Sequence, residues 1–309
     1  MKIKILSVNT SLKKGTIKKP VKSIWLNDKG VDGDAHAGSW HRQVSLLAVE
    51  SIETFSAEAG RSIAHGEFAE NITTQGLLLH QLRPFDRLMN KSIELMVSQI
   101  GKKCHGDNCN IFKEVGNCVM PKEGIFAKVI EGGELTAGDE LEIHPKVFRC
   151  KLITLSDRAS AGEYADKSGP LLQSLIKAFF EELKYPVIFD AEILPDDAQL
   201  LKYAIETSVE EQFDLIFTTG GTGIGPRDIT PETMREVMEK EIPGIMELIR
   251  IKYGQEKPNA LLSRGVAGIS AKTLMFALPG SPRAVNEYFA EIKKILYHSF
   301  LMLEGFDAH

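Results

Sequence analysis

Residues 214–231, DLIFTTGGTGIGPRDITP, pass from an apolar, β-branched stretch into a glycine-rich loop and end on a proline suited to the first turn of a helix. Positions 214–219 predict a buried strand, 220–223 a tight connection and 231–240 a helix. The same rhythm recurs on either side. Strands predicted at 149–155, 187–193 and 273–278 lead into helical stretches at 169–184, 197–210 and 282–300. Such alternation predicts a three-layer α/β domain with a mostly parallel sheet, whose ligands sit beyond the carboxyl ends of the strands.

The unusual residues fall at those ends. Ser156-Asp157-Arg158-Ala159-Ser160 and Asp166-Lys167-Ser168-Gly169 follow the first strand, and Leu194-Pro195-Asp196-Asp197 the second. Gly220-Gly221-Thr222-Gly223 and Pro226-Arg227-Asp228 follow the third, and Leu278-Pro279-Gly280-Ser281-Pro282 the fourth. Glycines at 220, 221 and 223 let several backbone N–H groups face one anion, with Thr219 and Thr222 as hydroxyl donors. The same glycines would also serve a plain tight turn. The loop is no Walker A motif, because no Lys-Ser or Lys-Thr follows, and Pro226 breaks a Gly-x-Gly-x-x-Gly reading. Asp196 and Asp228 would repel a bound phosphate unless a divalent cation lay between, so they predict a Mg²⁺–nucleotide site. The competing role for Asp196 and Asp197 is helix N-capping. Arg227 is either a charge neutraliser or a partner of Asp228.

Beyond this stretch, 309 residues suggest two domains, and 43% hydrophobic with 26% charged residues excludes a disordered or fibrous chain. A net charge of −5 gives no global field for nucleic acid or membrane. No run approaches the roughly 20 apolar residues that span a bilayer. The start, MKIKILSVNTSLKKG, is too short and too charged for a secretory core, and four cysteines are too few for a disulfide scaffold, so a reducing cytoplasm is expected. A boundary near His144-Pro145-Lys146 divides a domain at 1–146 from one at 147–309.

The first domain reads as β-rich and barrel-like. Strands are predicted at 2–9 and 21–26, a hairpin over 87–99 turning at Asn90-Lys91, and a closing pair of 125–130 with 140–143 across Gly132-Gly133. One amphipathic helix is predicted at 45–59. Cys104, Cys109 and Cys118 leave three readings open: a zinc site, loop packing, or one activated thiolate at Cys104 beside Lys102, Lys103 and His105. His36 and His41 read first as hydrogen-bonded structural residues, and Cys118 and Cys150 as structural cysteines. No nucleophile elbow supports a Ser-His-Asp hydrolase.

Residues 149–305 resemble the MogA-type molybdopterin adenylyltransferases. The 156–160 and 166–169 runs, Pro195-Asp196, residues 218–231, Leu262-Ser263-Arg264 and Leu278-Pro279-Gly280 occur in that family's order. The resemblance implies Mg²⁺-dependent transfer of the adenylyl group of ATP to molybdopterin, releasing pyrophosphate. It implies Asp196 and Asp228 as catalytic, Mg²⁺-holding residues. Ser156, Asp157, Thr219, Gly220, Gly221, Thr222, Gly223, Gly280 and Ser281 then line the molybdopterin and nucleotide sites. A homotrimer through this domain and the molybdate-inserting enzyme as partner are implied as well. Residues 5–144 resemble a MOSC domain, on Gly33-Asp34-Ala35-His36-Ala37-Gly38, His41-Arg42-Gln43-Val44-Ser45, Glu70-Asn71-Ile72-Thr73 and the cysteine at 104. That likeness implies that Cys104 carries sulfur or coordinates molybdenum, with molybdenum cofactor as ligand. Lys103 stands where many members have proline, and no pyridoxal-phosphate domain accompanies it. The rival function is a non-catalytic carrier or store of the cofactor. A molybdenum redox enzyme would need an electron donor that the chain lacks.

Overall fold

The computed structural model describes residues 1–102 and 118–306. The chain forms two units, Val147–Leu303 and the remainder, Met1–Lys146 with Glu304–His309. In the first unit the strands are β1 (Lys2–Thr10), β2 (Lys19–Val21), β3 (Ser23–Asn27), β4 (Gly30–Val31), β5 (Val44–Ala48), β6 (Ile72–Gln75), β7 (Arg87–Met89), β8 (Glu94–Ile100), β9 (Ile125–Glu131), β10 (Glu134–Thr136) and β11 (Glu140–His144). The sheet β11-β7-β8-β9-β5-β6-β1 closes on itself through pairing of β1 with β11. Closure removes the open edges that a flat sheet would expose. Alternate residues fill the interior, among them Ile3, Ile5, Leu46, Ile72, Leu95, Val97, Leu141 and Ile143.

Helix α1 (Val49–Ala59) packs outside this barrel, where Ile52 meets Leu47, Phe68 and Phe126. The helix predicted over 45–59 therefore begins only at Val49; Ser45 to Ala48 lie in β5. That strand is buried throughout, Leu46 inward and Leu47 under α1, so its apolar run carries no alternation to distinguish it from a helix. The hairpin turns as predicted, with Asn90 Oδ1 accepting the backbone N–H of Ser92 and Ile93. The closing pair is corrected: β9 lies between β8 and β5, whereas β11 lies between β7 and β1. The Gly132-Gly133 turn feeds β10, which pairs with β3 in a separate small sheet. The chain end, assigned by sequence to the second domain, groups with the first: Phe306 stacks on Phe85 at 5.6 Å, and Lys128 Nζ donates to the Glu304 carbonyl.

The second unit holds β12 (Phe148–Leu155), β13 (Val187–Leu194), β14 (Leu215–Thr219), β15 (Lys240–Glu241), β16 (Ala267–Ser270) and β17 (Thr273–Leu278). They lie in the order β13-β12-β14-β17-β16-β15, with the first four parallel and the last two antiparallel. The helices are α2 (Asp157–Ser160), α3 (Ser168–Glu182), α4 (Ala198–Glu210), α5 (Thr230–Val237), α6 (Pro243–Glu256) and α7 (Pro282–Leu303). On one face Leu201 and Ile205 of α4 and Met234 of α5 pack on Ile153, Leu155, Ile216 and Met275. On the other an aromatic layer joins Phe148, Phe217 and Phe276 to Phe180 of α3 and Phe289 and Phe300 of α7. The antiparallel extension β15–β16 and helix α6 were not foreseen from the sequence.

Candidate functional site

Register brings the parallel strands to one level. Leu155 lies opposite Leu194, Thr154 opposite Thr219, and Thr219 opposite Leu278. The four loops singled out in the sequence thus leave one edge of the sheet. The chain leaving β12 runs to β13 on one side and the chain leaving β14 runs towards β15, β16 and β17 on the other, and such a switch of direction opens a crevice between helices.

The 220–223 loop is built tightly onto its neighbours. Gly220 donates its N–H to the Leu278 carbonyl at 3.0 Å, and its φ of 101° turns the chain away from β14. A Cβ there would strike the Leu155 carbonyl, so only glycine fits. Gly221 has φ 61°, and a Cβ on it would collide with Thr230 Oγ1 and lie 3.6 Å from Asp196 Oδ1. One on Gly223 would lie 2.7 Å from Asp228 Oδ2. The two carboxylates therefore flank Gly221-Thr222-Gly223 at either end. Gly280 sits against Gly220, where its Cβ would lie 3.2 Å from the Gly220 Cα.

Asp157 and Asp196 clasp each other across two loops: Asp157 N–H donates to Asp196 Oδ2 at 3.3 Å, and Asp196 N–H to Asp157 Oδ1 at 3.0 Å. Arg227 Nη2 bridges both Asp157 oxygens at 2.7 and 2.6 Å. Of the two roles open to Arg227, charge neutraliser or partner of Asp228, the second is replaced by a pairing with Asp157. Asp228 Oδ2 accepts the Gly225 N–H at 2.7 Å. Asp228 Oδ1 and Asp196 Oδ1 have no hydrogen-bond partner among the described residues. Burial raises the Asp196 carboxyl above its usual range, and the nearby charges of Asp157 and Asp228 add to this, against the Asp157 N–H and Arg227. Among the described residues no three His, Cys, Asp or Glu side chains meet closely enough to hold a metal unaided. A divalent cation here would take much of its coordination from ligand oxygens and water, as Mg²⁺ does.

Other predicted residues take different places. Asp197, not Asp196, caps α4, accepting N–H from Gln199 and Leu200. Ser156 Oγ caps α2 through Ala159 N–H, and Ser281 Oγ accepts the Ala284 N–H in the first turn of α7. The Thr219 hydroxyl is turned inward, donating to Thr154 Oγ1 at 3.3 Å, which donates to Asp166 Oδ2 at 2.7 Å. Thr222 is buried in the loop. Cys104 and Cys109 lie outside the described residues. His41 Nε2 lies 3.0 Å from Gln99 Oε1, and the His36 ring 3.4 Å from Lys18 Nζ.

Arg264 was not assigned a site role in the sequence, yet it holds the loop together. Its Nε donates to the Gly223 carbonyl at 2.5 Å and its Nη2 to the Asp228 carbonyl at 2.7 Å, while Nη1 pairs with Glu232. Its only signal was the Leu262-Ser263-Arg264 run, remote from the loop in sequence. Beside it opens a cleft of about 450 Å³ lined by Ile224, Gly225, Asp228, Glu232, Thr233 and Arg264.

Comparison with known proteins matches residues 151–298 to a probable molybdopterin binding domain and residues 33–142 to a MOSC domain. The chain is 43% identical over 137 residues to the molybdopterin adenylyltransferase of Helicobacter pylori, covering 44% of this chain and 76% of that one. It is 36% identical over 148 residues to that of Haemophilus influenzae, covering 48% and 74%. Among solved structures, the molybdopterin biosynthesis enzyme MoaB of Thermus thermophilus matches 51% of this chain and 97% of its own, at 36% identity and a TM-score of 0.46.

Proposed function

Because the chain belongs to the molybdopterin adenylyltransferase family, we propose that its second unit joins the adenylyl group of ATP to the phosphate of molybdopterin and releases pyrophosphate. A phosphate oxygen of molybdopterin attacks the α-phosphorus of ATP, and the bond from that phosphorus to the pyrophosphate oxygen breaks. A phosphate monoester is already anionic at neutral pH, so the protein needs no base to activate it. Its task is to align two anions and offset their charge.

The observation that supports this reading is the pair of oxygens, Asp196 Oδ1 and Asp228 Oδ1, that have no hydrogen-bond partner among the described residues and flank a glycine loop. Mg²⁺ bound there supplies the positive charge that lets a triphosphate approach two carboxylates. The main-chain N–H groups of Gly221, Thr222 and Gly223 receive the molybdopterin phosphate, that of Gly220 being held by the Leu278 carbonyl. Gly280 keeps the neighbouring loop close, and Ser156 and Asp157 shape the wall beside Asp196, Arg227 holding Asp157 in place. Arg264 keeps Asp228 against the loop through two carbonyls. Asp228→Asn removes most adenylylation and retains molybdopterin. Purified protein given molybdopterin, ATP and Mg²⁺ releases pyrophosphate under this reading. A carrier that stores finished cofactor releases none, and that result would overturn the proposal.

The first unit, matched to a MOSC domain, fits a role in binding molybdenum cofactor or carrying sulfur, with Cys104 as its thiol. A homotrimer and delivery to a molybdate-inserting enzyme belong to the same reading. Exposed Leu248, Ile251, Leu261 and Leu262 offer apolar surface for self-association. No described helix is long and apolar enough to cross a membrane.

A further inference from the structure

The second unit is an insertion in the first: the chain leaves the first unit at Lys146 and re-enters it at Glu304. Within the first unit, both crossings are fastened to one dipeptide. Buried Asp86 accepts the Lys146 N–H through Oδ1 at 2.9 Å, and Phe85 carries the Phe306 ring, stacked at 5.6 Å with 18° between the planes. Phe85 has a φ of 71°, a left-handed conformation that a bulky residue keeps only where its surroundings impose it. Val97 of β8 imposes it: Phe85 N–H donates to the Val97 carbonyl and Val97 N–H to the Asp86 carbonyl, each at 2.8 Å. On the other side, α7 stops at Leu303 and Gly305 turns the chain with φ 68°. Lys128 Nζ of β9 holds the Glu304 carbonyl at 3.0 Å, and Phe306 is left 3% exposed, with the His41 ring 6.3 Å away. A chain end ordinarily frays, so an aromatic ring buried three residues after a helix is a fastening.

We propose that residues 304–306 form a clasp that closes on the first unit only while the second unit is folded, so that the first unit's stability depends on the second. The reason is chain length. With Val147–Leu303 unfolded, Phe306 hangs at the end of a flexible loop of roughly 150 residues anchored at Lys146. Returning it to Phe85 then costs closure entropy, on the order of a thousandfold in the closing equilibrium. The folded second unit fixes its own two ends, and the same closure costs only the ordering of three residues. The clasp goes beyond the adenylyl-transfer reading and does not depend on it.

The test follows urea unfolding of the full chain by the emission of Trp25 and Trp40, the chain's two tryptophans, both in the first unit. Phe306→Ala opens the clasp and lowers the first unit's urea midpoint by about 1–2 M, the loss expected for a buried aromatic ring. Phe306→Leu, with a smaller fall, serves if Phe306→Ala does not fold. Ile216→Asp places a charge in the fully buried strand β14 and unfolds the second unit, which loss of its helical circular dichroism verifies. Phe276→Asp is added where one charge is insufficient. These changes touch no residue of the first unit, yet they lower its midpoint by the same amount as Phe306→Ala. Combined with Phe306→Ala they lower it no further, because the clasp is already open. A wild-type midpoint in the chain with its second unit unfolded, a wild-type midpoint in the Phe306 variant, or effects that add overturns the proposal. Phe306→Ala leaves pyrophosphate release unchanged, and Asp228→Asn leaves the first unit's midpoint unchanged, so the two readings fail separately.

Discussion

Glu70 gives the first unit a dependence on pH that can be worked out in advance. The residue is fully buried; Oε1 accepts N–H from Gly66 at 2.5 Å and the Thr73 hydroxyl at 2.9 Å, while Oε2 is buried without a partner among the described residues. Burial pushes its carboxyl up from 4.5 to about 7, the Gly66 and Thr73 hydrogen bonds offsetting only part of that effect. Lys18 is the cation that faces it, itself tied to Asp34. The native unit therefore holds its proton more tightly than the unfolded chain. Below pH 4.5 both states are protonated and no stability is lost. Between pH 4.5 and about 7 the unfolded chain ionises first, and stability falls by about 1.4 kcal/mol per pH unit. Above pH 7 the loss levels off at roughly 3 kcal/mol. Glu70→Gln imitates the protonated acid, so it removes this fall and makes the unit about 3 kcal/mol more stable than wild type at pH 8. Urea unfolding followed by tryptophan emission reads the first unit separately, which matters because two units need not unfold together. Equal wild-type stability at pH 5 and pH 8, or a Glu70→Gln chain weaker than wild type at pH 8, refutes the burial argument.

Lys18→Met leaves Asp34 charged in the interior and should cost the first unit about 3–5 kcal/mol; a change below about 1 kcal/mol by the same urea assay would show the pair to be dispensable. Because Asp34 is held below its ordinary value of 3.8 by His36 and Lys18 against its own burial, its stabilisation is present above pH 4 and is lost as pH falls further; acid titration of the tryptophan signal checks this. Arg227→Met breaks a half-exposed ion pair, so the melting temperature barely moves, within about 1 kcal/mol, while pyrophosphate release falls as Asp157 loses its anchor. Gly223→Ala drives a methyl group to 2.7 Å from Asp228 Oδ2 and should lower pyrophosphate release about tenfold or more, with little change in circular dichroism.

Much of the second unit was legible because its cues are local. A parallel strand buried on both faces reads as an apolar run, and the loop after it must carry glycine where the backbone turns with positive φ, as at Gly220 and Gly221. The order of motifs along 149–305 therefore sufficed to locate the candidate site and to point to its carboxylates. The first unit was less legible. In β5 the apolar run imitates a helix, and the partners of β9 and β11 depend on closure of the barrel, which no neighbouring residue encodes.

Sequence alone determined which residues the loops would carry and the chemistry that glycines and aspartates at strand ends support. Tertiary structure decided the pairings: Arg227 with Asp157 rather than Asp228, the Thr219 hydroxyl turned toward Thr154, Arg264 as the clamp on Gly223 and Asp228, and Arg42 set against the Trp40 and Phe126 rings. The physical reason is range. Backbone conformation and burial pattern are set by near neighbours, whereas the charge a side chain meets depends on strands and loops that only the completed fold brings within a few ångströms.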